Sequence, residues 1–182
     1  MTQDTRQRIV PTFVQFISEA SSYTWQRPGE HFKAGAGILA ISAVTKRILL
    51  VMRAPADGDQ DAGKWSMVGG MMNDEEMKVN ADKGSRDAAL REFKEETGQD
   101  DPFDKLIKSY EYRNPDGSFV YYNYIGLVSD EFEPVLDHEN SAYRWFSIAD
   151  LKKIPRDQFH FGVKLLFSYD ESHENVIKEN AA

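Results

Sequence analysis

Arg91-Glu92-Phe93-Lys94-Glu95-Glu96-Thr97-Gly98 constrains this chain more than any other stretch, because a helix through it gathers three carboxylates on one side. Glu92 precedes Glu95 and Glu96 by three and four residues, separations at which helical side chains are neighbours. Like charges so placed cost stability unless something offsets them, and a divalent cation would do so. Oxygen-only ligands suit a hard ion, Mg²⁺ or Mn²⁺, better than zinc, which takes nitrogen or sulfur, and the chain has no cysteine. Ala89, Leu90 and Phe93 form an apolar stripe beside the carboxylates, so the helix is expected to lie on a core with its charged edge facing a cleft.

Ahead of this helix, Ala34 to Val44 and Arg47 to Arg53 read as two β runs joined by a short turn. Ala54 to Gly63 is a loop rich in Asp, Gly and Pro, and Lys64 to Val68 a short strand that ends on Gly69 and Gly70. Residues 71 to 85 read as a loop. Asp87 to Thr97 reads as the helix itself, closed by Gly98, the residue favoured just past a helix C-terminus. Leu106 to Arg113 and Phe119 to Val128 are expected to pair as a hairpin, since Asn114-Pro115-Asp116-Gly117 between them is strong turn chemistry. Tyr143 to Phe146 gives a further strand, Ile148 to Lys153 a short helix, and Phe159 to Tyr169 a terminal helix with Phe161, Leu165 and Leu166 on one side. Near the start, Phe13, Phe16, Ile17 and Ala20 recur at helical spacing before a polar connector from Thr24 to Lys33. The expected organisation is a helical arm and connector over 1–33 and a globular unit over 34–182, a length suited to one core.

A net charge of −8 repels polyanions at long range, which argues against indiscriminate binding to nucleic-acid backbone. It leaves room for a small nucleotide held through a metal ion. The absence of cysteine removes disulfides and thiolate chemistry and fits a cytoplasmic setting. With no apolar run of about 18 residues and no basic segment followed by an apolar one at the N-terminus, neither a membrane span nor a secretory signal is expected.

Gly70, Arg91, Glu92, Phe93, Glu95, Glu96 and Gly98 together resemble the Nudix box, whose pattern is a Gly, five residues, Glu, seven residues, then Arg-Glu-apolar-x-Glu-Glu-x-Gly and an apolar residue. The second half matches position by position. The first half departs: Gly70 lies 91 − 70 = 21 residues before Arg91, seven more than the pattern has, which puts an insertion within Met71 to Ser85. Counting back from Arg91 puts Lys83 where the early Glu belongs and leaves Glu75, Glu76 or Asp82 as spatial substitutes; Gln99 takes the final apolar position. Glu139, six residues before Trp145, is similar to a distal glutamate that approaches the metal site in several members. The resemblance implies an α/β/α sandwich with a mixed β-sheet, and metal-dependent hydrolysis of a nucleoside diphosphate linked to another moiety. It also implies a small-molecule nucleotide substrate, the Gly70 carbonyl as a metal ligand, and a homodimer as in many relatives.

Hydrolysing a pyrophosphate requires charge neutralised on the phosphate oxygens and a water deprotonated and aimed at one phosphorus. Glu95 and Glu96 are the first choices as metal ligands, with Glu92 a third ligand or the acceptor of the water's proton. Arg91, four residues before Glu95, would orient carboxylates by charge-assisted bonds. Arg53 and Lys64 flank the expected cleft and could meet phosphates, while Phe119, Tyr121, Tyr122, Tyr124 and Trp25 could stack on a base; tyrosines alternating along a strand are more often half-buried sheet residues. His138 and His160 show no partner spacing that suggests a metal site. The competing reading is a nucleotide-binding or regulatory module that keeps the fold without turnover, motivated by Lys83, the insertion and Gln99. An isomerase of the same fold is disfavoured, since that chemistry commonly uses a cysteine.

Overall fold

The computed structural model describes residues 32–164. The expected arm, with Phe13, Phe16, Ile17, Ala20 and Trp25, lies outside the described residues, as do Leu165 and Leu166. In chain order the strands and helices are β1 (Lys33–Ser42), β2 (Ile48–Arg53), β3 (Trp65–Ser66), β4 (Val68–Met71), α1 (Asp74–Lys78), α2 (Ala81–Thr97), β5 (Lys105–Arg113), β6 (Phe119–Val128), β7 (Asn140–Phe146) and α3 (Ile148–Leu151), followed by a 3₁₀ turn at Arg156–Gln158.

All seven strands join one sheet, with β3-β2-β1-β6-β5 as its path, β4 beside β1 and β7 beside β2. Only the β1–β6 pairing is parallel, so the sheet is mixed, as expected. β1 is its central strand, buried on both faces from Ala34 onward, which is why its sequence is almost wholly apolar or glycine. Its other edge is shared. Ile41 pairs with Ile48 of β2, whereas Gly35 to Ile38 pair with Val68 to Met71 of β4. That sharing splits the single strand expected at Lys64 to Val68: Trp65 and Ser66 stay on β2, and the chain crosses at Met67 to continue as β4 along β1.

Two cores flank the sheet. On one face Ala36, Ile38, Val120 and Tyr122 pack against Ala88, Ala89 and Phe93 of α2. On the other, Leu39, Leu50, Ile125 and Phe146 pack against Leu151, Phe159 and Val163. Phe159 belongs to this core and follows the 3₁₀ turn; the backbone becomes helical only from residue 161, later than the expected start. The β5–β6 hairpin forms where the turn chemistry places it. Gly117 takes φ +72°, its N–H reaches the Asn114 carbonyl at 3.0 Å, and the Asn114 side chain accepts from Phe119 N at 2.8 Å.

The expected loop at 71–85 is largely helical. Asn73 caps α1 through a capping box, accepting from Glu76 N at 3.0 Å while its own N–H donates to Glu76 Oε2 at 2.8 Å. Asn80 then caps α2, accepting from Lys83 N at 2.9 Å, so α2 begins at Ala81 rather than at Asp87. Two asparagines placed to accept from the third residue beyond them made these helices possible. Gly84 lets α1 lie against α2, because a Cβ there would fall 1.9 Å from the Glu76 carbonyl oxygen. At its far end α2 stops as expected, with Gly98 at φ 71° and its N–H on Lys94 O.

Candidate active site

α2 faces the end of β4, and Arg91 ties the two together. Its Nε donates to Glu76 Oε1 at 2.8 Å, Nη1 to Glu92 Oε1 at 2.8 Å and to Glu95 Oε2 at 2.9 Å, and Nη2 to the Met71 carbonyl at 3.0 Å and Glu76 Oε2 at 3.2 Å. A planar guanidinium with five donors is suited to such a junction, so Arg91 orients carboxylates, and does so for three of them at once.

Glu76 therefore stands where the early glutamate was sought. Its side chain is 10% exposed, and both of its oxygens are occupied by Arg91 and Asn73. Lys83, placed there by counting back from Arg91, instead pairs with Asp87 on the outer side of the helix. Counting forward from Gly70 reaches Glu76 in 76 − 70 = 6 steps, the pattern's own spacing, so the extra residues fall after Glu76. Glu75 pairs with Lys78 and Asp82 with Lys108, both away from Arg91.

Glu96 is the most enclosed carboxylate, 6% exposed. It accepts from Gly69 N at 2.9 Å and from Asn140 Nδ2 at 2.6 Å; burial outweighs these bonds and pushes its pKa up to about 8. Glu92 is also raised, by burial first; Arg91 opposes that shift, and the charges of Glu95 and Glu139 add to it. Gly70 makes room for Glu92, since a Cβ on it would come within 2.6 Å of that carboxyl. The Gly70 carbonyl, expected toward an ion, lies on the β1 side, 2.9 Å from where a Cβ on Gly35 would sit; pairing with Ala36 turns it there. Glu95 is largely exposed. Glu139 is exposed on the approach to β7 and acts on Glu92 through its charge.

Among the described residues, no three His, Asp or Glu side chains stand together as an ion-holding group. The reason is visible in the bonding: Arg91 lies between Glu92 and Glu95, and Glu96 turns toward Gly69 and Asn140. The donor set still fits a hard cation. It is all oxygen, it includes a carboxylate whose charge is poorly compensated, and Glu95 is exposed, with Arg91 as its ion-pair partner.

Across β4 from the carboxylates lies a cavity of about 360 Å³, bounded by the Gly69-Gly70-Met71 backbone, Arg53 and a set of rings from β5, β6 and the 160–162 segment. Arg53 thus reaches the expected cleft, held by Asp59 through Nη2 at 2.9 Å and Nε at 3.2 Å. Lys64 does not: its Nζ pairs with Asp61 at 2.6 Å, and it forms no part of the wall. Of the aromatics expected to stack, Phe119 and Tyr121 line the cavity, whereas Tyr122 and Tyr124 point to the α2 core. Tyr110, Tyr112, Asn123, His160 and Phe161 also line it and were not foreseen there; Tyr112 alternates with Tyr110 on β5 and pairs directly with Tyr121, a cue the strand pattern did contain.

A mixed sheet between a carboxylate-bearing helix and a second apolar layer, with a pair of glycines on the strand that faces the helix, is the architecture of the Nudix class. The NUDIX domain family model matches residues 31–167, and the chain belongs to that family. The NUDIX domain of Shewanella oneidensis NrtR, solved with ADP ribose, is similar at TM-score 0.59 and 16% identity, over 80% of this chain and 90% of that one. A MutT protein from Methanosarcina mazei is similar at 0.54 and 19%, over 82% and 99%. A NUDIX hydrolase from Nitrosomonas europaea is similar at 0.53 and 21%, over 86% and 78%. No curated protein matches. Among the described residues, no helix is long and apolar enough to cross a membrane.

Proposed function

We propose that this protein hydrolyses the pyrophosphate of a nucleoside diphosphate linked to a second group, with Mg²⁺ or Mn²⁺ held by Glu92, Glu95 and Glu96. The observation that carries the reading is that one edge of α2 presents a buried, poorly compensated Glu96, a half-buried Glu92 and an exposed Glu95, beside a cavity that meets this edge at Gly69 and Gly70. A divalent ion there supplies charge neutralisation on the phosphate oxygens and lowers the pKa of a bound water. Arg91 keeps Glu92 fixed through Nη1 and braces Glu76 against β4, so the carboxylate edge is set before substrate arrives. Glu139, or Glu92 where it is not itself a ligand, takes the proton of the attacking water; the two are near enough for the charge of Glu139 to act on Glu92, whose raised pKa makes it a stronger base than an ordinary carboxylate. The water oxygen adds to one phosphorus, the bridging P–O bond breaks, and two phosphate monoesters leave. Arg53 can exchange Asp59 for a substrate phosphate, a swap of one anion for another at the cavity wall.

The NrtR domain's complex with ADP ribose supports including ADP-ribose in the substrate class. Purified protein is offered ADP-ribose, nucleotide sugars, dinucleoside polyphosphates and nucleoside triphosphates, with and without Mg²⁺, and products are identified. Metal-dependent cleavage of at least one is expected; folded protein that cleaves none contradicts the proposal. In that case the second reading, a ligand-binding regulatory module, is favoured by the Arg91 bridge, which already satisfies Glu92 and Glu95 without an ion.

A further inference from the structure

The cavity wall includes a buried carboxamide oxygen that is left unmatched among the described residues. Asn123, 2% exposed, is part of the cavity wall, and its Oδ1 is shielded from solvent with no hydrogen-bond partner among the described residues. The orientation of this carboxamide is fixed by its surroundings. Its Nδ2 donates to the Tyr110 carbonyl at 3.1 Å, with the Tyr121 carbonyl at 3.4 Å, and carbonyl oxygens only accept, so Oδ1 is the end of the carboxamide turned away from them. A bulge creates the arrangement: Lys108 pairs with Tyr124 and Glu111 with Tyr122, leaving Ser109 and Tyr110 opposite Asn123 alone. Bulges of this kind re-aim side chains and are frequent beside active sites.

Around Asn123 the walls are flat and aromatic. Tyr121 lies over Gly35, Gly37 and Gly69, where a Cβ on any of them would fall within 2.7 Å of its ring or hydroxyl. Phe119 stands beside it at 6.3 Å between ring centres, and Tyr112 meets Phe161 edge-on at 5.1 Å. Such rings accept a planar heterocycle. An unmatched buried acceptor among them costs free energy that a ligand N–H would recover.

We propose that this cavity binds the base of the substrate, and that Asn123 Oδ1 accepts from an exocyclic amino group, selecting an adenine-type base over one bearing an oxo group at the same position. Because Nδ2 is already spent on carbonyls, Asn123 has no donor to offer an oxo group, whose oxygen would face another acceptor. The inference rests on the pyrophosphohydrolase reading for the location of the phosphates, near Gly70 and Arg53.

Isothermal titration of the intact chain with AMP and IMP, which differ in the group at position 6 and in the proton that IMP carries on N1, tests it without any hydrolysable pyrophosphate. AMP is expected to bind about 10-fold or more tightly than IMP. In Asn123→Leu the two should bind within about 2-fold of each other, chiefly through loss of AMP affinity. Equal binding by the wild-type chain, or a preference for AMP retained in folded Asn123→Leu, overturns the proposal. Should Asn123→Leu not fold, AMP against purine riboside 5′-monophosphate on the wild-type chain decides: loss of the amino group must weaken binding about 10-fold, and no loss overturns it. Base-selective binding without turnover of any pyrophosphate would instead retire the hydrolase reading and leave this one standing.

Discussion

The two sides of β4 are built on opposite principles. Toward α2, Arg91, Glu76, Glu92 and Glu95 form a network in which all but the exposed Glu95 have restricted access to water, and the Met71 carbonyl and Asn73 are drawn in as well. Toward the cavity, packing is by rings laid on glycines, and the Asn123 carboxamide oxygen has no hydrogen-bond partner among the described residues. The difference separates two tasks. Reaction at a phosphorus needs charges held rigidly before substrate binds, which the ion network provides. Choosing a substrate needs a surface that is incomplete until the right partner arrives, which the cavity provides.

The largest effect expected from breaking this contrast is on catalysis. Glu95→Gln or Glu96→Gln should lower kcat on the best substrate on the order of 100-fold or more, with circular dichroism unchanged. A variant at full rate would move the metal elsewhere. The next effect separates scaffold from chemistry within the network. Glu76→Gln leaves Arg91 with a weakened partner at a site 10% exposed and should cost about 1 to 3 kcal/mol in urea unfolding, whereas Lys83→Ala should stay within about 0.5 kcal/mol. Equal effects would return the early-glutamate position to doubt.

These residues also show what could be read from the chain alone. Arg91 to Gly98 was legible because helix spacing and a glycine cap are local signals, and the hairpin was legible because its turn carries its own chemistry. A count backward from Arg91 does not single out Glu76, because it crosses an insertion whose place along the chain has no local signal; the forward count from Gly70 reaches it. The bond from Asn140 to Glu96 spans 44 residues and leaves no local trace. Nor does the unmatched Asn123 oxygen, which depends on the register of a bulge two strands share. Lys64 misled because a cation beside a cleft looks the same in sequence whether it faces substrate or its own loop, here Asp61.

A smaller test exploits the packing of α1. Gly84→Ala sets a methyl group 1.9 Å from the Glu76 carbonyl and must push α1 away, at about 1 to 3 kcal/mol, carrying Glu76 off Arg91. Smaller still is a slope with pH. Glu96 titrates near 8 in the folded chain, against an ordinary glutamate near 4.5 when unfolded, so the folded state holds the extra proton between those values. Metal-free stability should therefore fall as pH rises from about 5 to about 8, by at most about 1.4 kcal/mol per pH unit, and Glu96→Gln should flatten that part of the curve. A slope that survives the substitution belongs to another group.

The most direct test is a crystal soaked in Mn²⁺ and measured at the manganese edge. The account predicts an anomalous peak about 2 Å from oxygens of Glu92, Glu95 and Glu96, with Glu95 released from Arg91. Strong Mn²⁺-dependent turnover in solution, together with an ion bound elsewhere and Glu95 still paired to Arg91, would contradict it.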